Sequence, residues 1–162
     1  MDWSIFTSNL ARTLPKITER CYVIIAGPEK MGGYVQFYAD EDTLHAEAAA
    51  PEFVSNKAAH TSDSPEMLAA GWEAPTSLDL NWHQTLPLPA LSSEFTQLAA
   101  QCGVALRDVY HLEPANLQYK AWREAEQQPP GVTWQPEQFE RLDPGDPQLE
   151  LPNLGLARLP QQ

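Results

Sequence analysis

Histidine and acidic side chains are the groups in this 162-residue sequence whose spacing could bind a metal or move protons. His60 and Asp63 form a His-x-x-Asp pair, which supplies two ligands but no third at a useful spacing. The acidic stretch 40–42 lacks the glycine and the distal glutamate of a calcium loop, so it predicts a solvated turn. His45 lies in an alternating stretch and is expected on the polar face of a strand. The sequence therefore predicts no metal site.

Nucleophile and phosphate-binding patterns also fail to indicate catalysis. The glycine-rich stretch 27–33 contains one lysine but lacks the Gly-Lys-Ser/Thr ending of a phosphate-binding loop. A Gly-x-Ser-x-Gly nucleophile elbow does not occur in the sequence. Cys21 and Cys102 lie in apolar runs without a local catalytic signature, which favours buried free thiols. We therefore expect a protein that is not an enzyme and has no cofactor.

Aromatic residues are the more informative side chains. Trp72 and Trp82 flank an acidic connection that contains a proline. Together with Tyr34, Phe37 and Trp122, they are enough to build either a core seam or an exposed apolar groove. A groove of this kind would bind a peptide or a partner subunit, and both alternatives stay open at the level of sequence.

Hydrophobic periodicity predicts the elements that would position these rings. Apolar residues at helical spacing predict a helix over 2–14 with Asp2 as its N-cap. Three runs then have the composition or alternation of strands, at 21–26, 34–39 and 43–48. Short connections between these three runs predict an antiparallel meander.

The second half of the chain predicts more helix and a further strand. A Ser-Pro-Glu start signal predicts a short helix at 66–70, and an apolar run predicts a fourth strand at 80–86. The segment 114–122 is ambiguous, with a short helix starting at Pro114 favoured. The element order is that of an α+β fold, an antiparallel sheet with helices packed on one face.

A longer amphipathic helix lies between the fourth strand and this ambiguous segment. Ser92 or Ser93 is its expected N-cap. Its apolar stripe follows helical spacing: Phe95, Leu98, Ala99, Cys102, Leu106 and Val109.

Prolines divide the chain into a domain and an extension. Seven of the fifteen prolines lie in 129–162, where periodicity is nearly absent. We therefore predict a folded domain over 1–126 and a proline-rich, acidic C-terminal extension over 127–162. The extension keeps several leucines and aromatic residues, so it could be disordered or could pack across the domain as a strap.

Charge sets limits on the class of partner. The formal net charge is −12, and the segments 40–80 and 124–162 contribute −8 and −5 of it. Such a surface argues against nucleic acid and anionic membranes as partners. The acidic N-terminus lacks the basic region of a signal peptide, and the longest apolar stretch, 22–26, is too short to span a bilayer. We expect a cytoplasmic protein.

Short motifs in the middle of the chain resemble a known family. They are Gly-Trp-x-x-Pro at 71–75, Asn-Trp at 81–82, Leu-Arg-Asp-Val-Tyr at 106–110 and Pro-x-x-Leu-x-Tyr at 114–119. The strands around 34–37 and 44–47 fit the same pattern. Over residues 5–122, the sequence resembles the actinobacterial TY-Chap domain proteins, which are grouped with type III secretion chaperones and YbjN proteins.

The resemblance implies a fold and a mode of action. It implies a curved antiparallel sheet with helices against it, and relatives that dimerise and hold extended partner segments over apolar grooves. It supplies no catalytic residues. A homodimer and a protein or peptide client are the partners that it implies.

The sequence therefore favours a non-enzymatic protein- or peptide-binding module, a small acidic chaperone or adaptor. Trp72, Trp82, Tyr34, Phe37 and Trp122 are the candidate partner-binding residues. Two alternatives stay open. The first is an enzyme or small-molecule binder, which would need a deep pocket with convergent polar groups. The second is a regulatory subunit whose extension covers its own surface.

Overall fold

A computed structural model describes residues 1–50 and 64–160. The helices are α1 (Trp3–Thr13), α2 (Pro65–Ala70), α3 (Ser92–Gly103) and α4 (Pro136–Glu140), and a π-helical segment at Val104–Val109 continues α3. The strands are β1 (Cys21–Ala26), β2 (Tyr34–Ala39), β3 (Thr43–Ala48), β4 (Trp82–Pro87), β5 (Gln118–Arg123) and β6 (Ala157–Arg158).

The first three strands form the predicted meander, and β4 pairs antiparallel with β3 beyond it. They lie in one six-stranded sheet of order β4-β3-β2-β1-β5-β6, with each pair from β1 to β4 antiparallel. Buried and partly exposed residues alternate along β1, β2 and β3, which is the signature of strands with one face in the core. The α+β prediction, an antiparallel sheet with helices packed against it, is confirmed.

The prediction of a short helix over 114–122 is wrong. Only Pro114–Asn116 forms a helical turn, and β5 follows it directly. Tyr119 and Ala121 are buried whereas Lys120 between them is exposed, so this segment has the two-residue period of a strand. β5 pairs antiparallel with β1, which therefore lies inside the sheet with a partner on each side.

One core joins the helices to the sheet. Phe6, Leu10 and Leu14 from the α1 region belong to the same buried cluster as the inward side chains of the strands. The apolar stripe predicted for α3 is buried along its whole length, from Phe95 to Val109. Burial of these stripes places α1 and α3 on one face of the sheet, and we call the opposite face the outer face.

The two predicted helix caps have different outcomes. Asp2 is the N-cap of α1, and its carboxylate accepts the backbone N–H of Ile5 at 2.8 Å, as predicted. The cap predicted at Ser92 or Ser93 is wrong, because α3 already begins at Ser92 and Leu91 precedes it. The carboxylate of Glu94 instead reaches back to accept the Leu91 N–H at 3.0 Å.

The C-terminal extension packs along the outer edge of β5. Leu151 and Leu154 are 5% and 0% exposed, and the Leu159 N–H donates to the Tyr119 carbonyl at 2.7 Å. β6 adds to β5 as a short parallel strand, which the purely antiparallel prediction did not include. The two alternatives for the extension are disorder and a strap packed across the domain. Residues 143–159 form such a strap. The division of the chain at residue 126 stays a prediction.

Candidate functional site

Four aromatic side chains occupy one level of the outer face, on four neighbouring strands. The strand register pairs Trp122 with Tyr22, Tyr22 with Tyr38, and Tyr38 with His45. Tyr22, Tyr38 and His45 each lie between buried neighbours, and Trp122 follows the buried Ala121, so the alternation of side chains directs all four away from the core. We call these four residues the aromatic row.

The rings of the aromatic row stack on one another. The Trp122 and Tyr22 ring centroids are 5.3 Å apart, those of Tyr22 and Tyr38 are 6.0 Å apart, and those of Tyr38 and His45 are 4.5 Å apart. The interplanar angles are 7°, 18° and 9°. All four side chains are partly exposed. The row is thus an amphipathic ridge that is rigidly held by the sheet.

The two ends of the row differ in charge. At one end, the Lys120 ammonium lies 5.4 Å from the centre of the Trp122 ring. At the other end, His45 Nε2 is 2.9 Å from Asp40 Oδ2. This hydrogen bond is the main reason that the pKa of Asp40 is lowered. The row therefore has a cation at its Trp122 end and a carboxylate at its His45 end.

Acidic side chains border the row on the side of β3 and β4. Burial raises the pKa of Tyr38, and the nearby carboxylates of Glu47 and Asp79 raise it further. His83 Nε2 lies 3.1 Å from Glu73 Oε2 and 3.8 Å from Asp79 Oδ2. This part of the outer face therefore favours cationic groups over anionic ones.

The structure separates the five aromatic residues that the sequence nominated. Trp122 belongs to the aromatic row. Tyr34 also lies on the outer face, where its hydroxyl donates to Asn81 Oδ1 at 3.4 Å. By contrast, Trp72, Trp82 and Phe37 are 2%, 2% and 1% exposed and belong to the core. Three of the five rings thus belong to the core and two lie partly exposed on the outer face, where partner binding stays a prediction.

Buried polar contacts hold the core rings in place. The Trp72 indole N–H donates to the Gln101 carbonyl at 3.1 Å, which ties α2 and its following segment to α3. Trp82 pairs with the buried Ala48 across the β3–β4 ladder. A partner could reach either ring only by opening the core.

Sequence reasoning places His45 on the polar face of its strand, but it nominates none of Tyr22, Tyr38 and His45 as a partner-binding residue. The composition of 21–26 predicts a strand without showing that Tyr22 faces outward. The signal that could have revealed the row is parity, because Tyr22 and Tyr38 each lie between two apolar residues that face the core. Their alignment across strands depends on register, which a single sequence does not fix.

The groups that could serve catalysis are placed for other roles. Cys21 and Cys102 are free and buried, as predicted, and burial raises the pKa of Cys102, which disfavours its thiolate. No group of three or more potential metal ligands occurs within residues 1–50 and 64–160. His60 and Asp63 lie outside the described residues.

Other surface features bear on the remaining alternatives. A cleft of about 440 Å³ lies beside the start of β5, and its lining side chains from 114–118 and 155–157 carry no acid or base. Its polar lining side chains are the amides of Asn116 and Gln118. In the described part of the chain, no helix is both long and apolar enough to cross a bilayer.

Comparison with known proteins gives one finding. No curated protein and no solved structure matches the chain. The model of the family TY-Chap3, described as "T3SS (YopN, CesT) and YbjN peptide-binding chaperone 3", matches residues 1–123. The match begins before α1, ends with β5 and confirms the resemblance read from the sequence motifs. With 123 of its 162 residues matched, the chain belongs to the TY-Chap3 family of peptide-binding chaperones.

Proposed function

We propose that this protein is a non-enzymatic chaperone-like module that binds an extended peptide segment of a client on its outer face. The observation that carries the proposal is the aromatic row of Trp122, Tyr22, Tyr38 and His45, stacked across four strands and partly exposed. A client segment would bury apolar side chains against the ridge while the ring edges and tyrosine hydroxyls meet its polar groups.

Rigidity favours binding at the aromatic row. Each ring is fixed by its strand and by a stacked neighbour, so little side-chain freedom is lost when a client binds. Aromatic side chains with few rotatable bonds give large contact area at low entropic cost. The row therefore suits a surface that accepts clients of varied sequence.

Charge gives the surface its selectivity. The net charge of −12 and the carboxylates of Asp40, Glu47 and Asp79 favour clients that contain lysine or arginine. Acidic surfaces speed the encounter with basic segments and disfavour acidic ones. The same net charge favours solubility of the free chaperone.

The proposal assigns different roles to the five aromatic residues predicted from sequence. Trp122 and Tyr34 are proposed to contact the client from the outer face. Trp72, Trp82 and Phe37 are proposed to support the sheet from the core. Both thiols are free, which supports action in a reducing compartment such as the cytoplasm. The homodimer implied by the family stays a prediction, which light scattering coupled to gel filtration checks.

A selection experiment tests the proposal. Peptides from a random phage library are selected on the wild-type chain, and their affinities are measured by fluorescence anisotropy. The variant Tyr22→Thr/Tyr38→Thr removes two rings but keeps β-branched residues suited to strands. We expect it to bind the selected peptides at least about tenfold more weakly, because two aromatic contacts are lost.

The matched control is Phe139→Ser, which removes a ring that is 46% exposed in α4 and outside the row. It should bind the same peptides with unchanged affinity. Equal affinities for the wild type and the double row variant, with both chains folded by circular dichroism, would refute binding at the row.

A further inference from the structure

An apolar cleft lies beside the acidic end of the aromatic row. It opens between the segment 14–19, the turn from β2 to β3, and the loop 88–90 that leads into α3. Its volume is about 360 Å³, within the range of pockets that hold small ligands or side chains.

The cleft has an apolar interior and an acidic rim. Leu14, Ile17 and Phe95 are buried and form its floor. Leu88, Pro89 and Ala90 form one wall. The rim carries three exposed carboxylates, those of Glu19, Asp40 and Glu41. No lysine or arginine lines the cleft.

Backbone hydrogen bonds fix the walls of the cleft to the sheet. The Leu88 N–H donates to the Asp42 carbonyl at 2.8 Å, which holds the loop 88–90 against the β2–β3 turn. The Arg20 N–H donates to the Ala39 carbonyl at 3.3 Å, which holds the opposite wall to the end of β2. The cleft is therefore preformed, and a ligand need not organise it.

Asp40 connects the cleft to the aromatic row. Its carboxylate lies on the rim of the cleft and is also the partner of His45 at 2.9 Å. The cleft and the row therefore share one carboxylate, that of Asp40.

We propose that this cleft is an anchor pocket for one leucine-sized side chain of a basic client segment, with lysine or arginine next to that side chain. The interior excludes water from the anchor, and the rim carboxylates meet the flanking cations. A segment with acidic flanks would place like charges together and is disfavoured. This inference rests on the proposed function, since it places the client of the row in the cleft.

Synthetic peptides test the chemistry of the anchor. The probe is the fluorescein-labelled peptide Gly-Ser-Lys-Lys-Leu-Lys-Lys-Ser-Gly, titrated with the full chain at low salt and followed by anisotropy. Replacing the leucine with alanine should weaken binding about tenfold, because most of the buried apolar area is lost. Replacing all four lysines with glutamate should abolish measurable binding. Equal affinity for the leucine and alanine peptides would overturn the proposal.

Variants of the chain test the location of the anchor. Ala90→Phe places a ring in the cleft and should weaken probe binding about tenfold. Glu19→Lys/Glu41→Lys reverses two exposed rim charges without filling the cleft, so it remains informative if Ala90→Phe fails to fold. Its control, Glu113→Lys/Glu137→Lys, makes the same change in net charge at exposed positions away from the cleft. Equal weakening by the rim variant and its control would overturn the proposal.

The row variant separates this inference from the proposed function. If Tyr22→Thr/Tyr38→Thr binds the probe normally while both cleft variants bind it weakly, the anchor stands and the row is not part of the site. If the row variant binds the probe weakly and the cleft variants bind it normally, the proposed function stands and the anchor is refuted.

Discussion

At the scale of single residues, Asp143 is the main ionic link between the extension and the sheet. Its carboxylate accepts hydrogen bonds from Arg20 Nη2 at 2.8 Å and Arg123 Nε at 2.6 Å. The Arg123 hydrogen bond is the largest cause of a pKa well below the usual range of an aspartate, and the Gly145 N–H lowers it further. The extension is thus joined by one ionised group to β5 and to Arg20, the residue before β1.

Replacing Asp143 with asparagine should make the free energy of unfolding depend less on pH in the acidic range. A depressed folded-state pKa contributes stability that is present above the unfolded value of about 3.9 and is lost as pH falls through the folded-state pKa. Urea unfolding of wild type and Asp143→Asn should therefore show a larger difference at pH 7 than at pH 2. An equal difference at both pH values would contradict this role for Asp143.

Gly33 is a residue whose conformation and surroundings both exclude a side chain. Its φ is +78°, and an added Cβ would lie 3.0 Å from Cβ and Cγ of Tyr110. Tyr110 cannot move aside easily, because its hydroxyl donates to the Ala49 carbonyl at 2.7 Å in a buried position. Gly131 has nearly the same φ, +79°, with no atom within 4 Å of the added Cβ.

These two glycines make a matched pair for alanine substitution. Gly131→Ala should cost about 1 kcal/mol of unfolding free energy, the strain of a left-handed residue. Gly33→Ala should cost more, because the same strain is joined by contact with Tyr110. Urea denaturation measures both, and equal costs would show that the Tyr110 contact is relieved without penalty.

The candidate surface was only partly visible in individual residues. Trp122 and Tyr34 could be nominated because aromatic residues concentrate near the family motifs. Tyr22, Tyr38 and His45 could not, since each looks ordinary within its own strand. They form a surface only because the register places them at one level, and register is a property of pairs of strands.

At the scale of elements, local periodicity predicted the first helix, the first four strands and α3. It failed at β5, where Pro114 starts a turn of only three residues and the alternation of 118–123 is short. Pairing with β1 decides the outcome there, because β1 has an apolar inward face and needs a partner on its second edge. The long-range pairing overrides a weak local preference.

Substitution of two tryptophans tests whether the inner face of the sheet serves stability and the outer face serves binding. Trp82→Ala removes a ring that is 2% exposed and should cost about 3–5 kcal/mol of unfolding free energy. Trp122→Ala removes a partly exposed ring, so its cost in stability should be clearly smaller while peptide affinity falls. Urea unfolding and anisotropy on the same samples measure both quantities. The opposite pattern, with binding lost in a folded Trp82→Ala chain, would place the client against the core.

At the scale of the whole molecule, the extension completes the folded unit although it lies outside the family match. The match ends at residue 123, yet Leu151 and Leu154 are buried in the same core cluster as α1. The Asn9 side chain in α1 donates to the Leu154 carbonyl at 3.3 Å. The division at residue 126 that proline content predicts stays a prediction, and the tertiary contacts show where the leucines of the extension pack.

Deleting residues 127–162 should therefore destabilise the domain. Loss of two buried leucine side chains alone should lower the unfolding free energy by about 3–6 kcal/mol. Thermal and urea unfolding of the truncated and full chains measure the difference. A truncated chain within about 0.5 kcal/mol of the full chain would contradict the role of the extension as a strap.

The indole N–H signals of the five tryptophans test the central claim most directly. A chain labelled with ¹⁵N-tryptophan is titrated with a peptide selected on the wild-type protein, and each signal is assigned by substitution. Binding at the aromatic row predicts that the Trp122 signal shifts in proportion to occupancy while those of Trp72 and Trp82 stay in place. A saturating peptide that leaves the Trp122 signal unmoved would contradict binding of the client at the row.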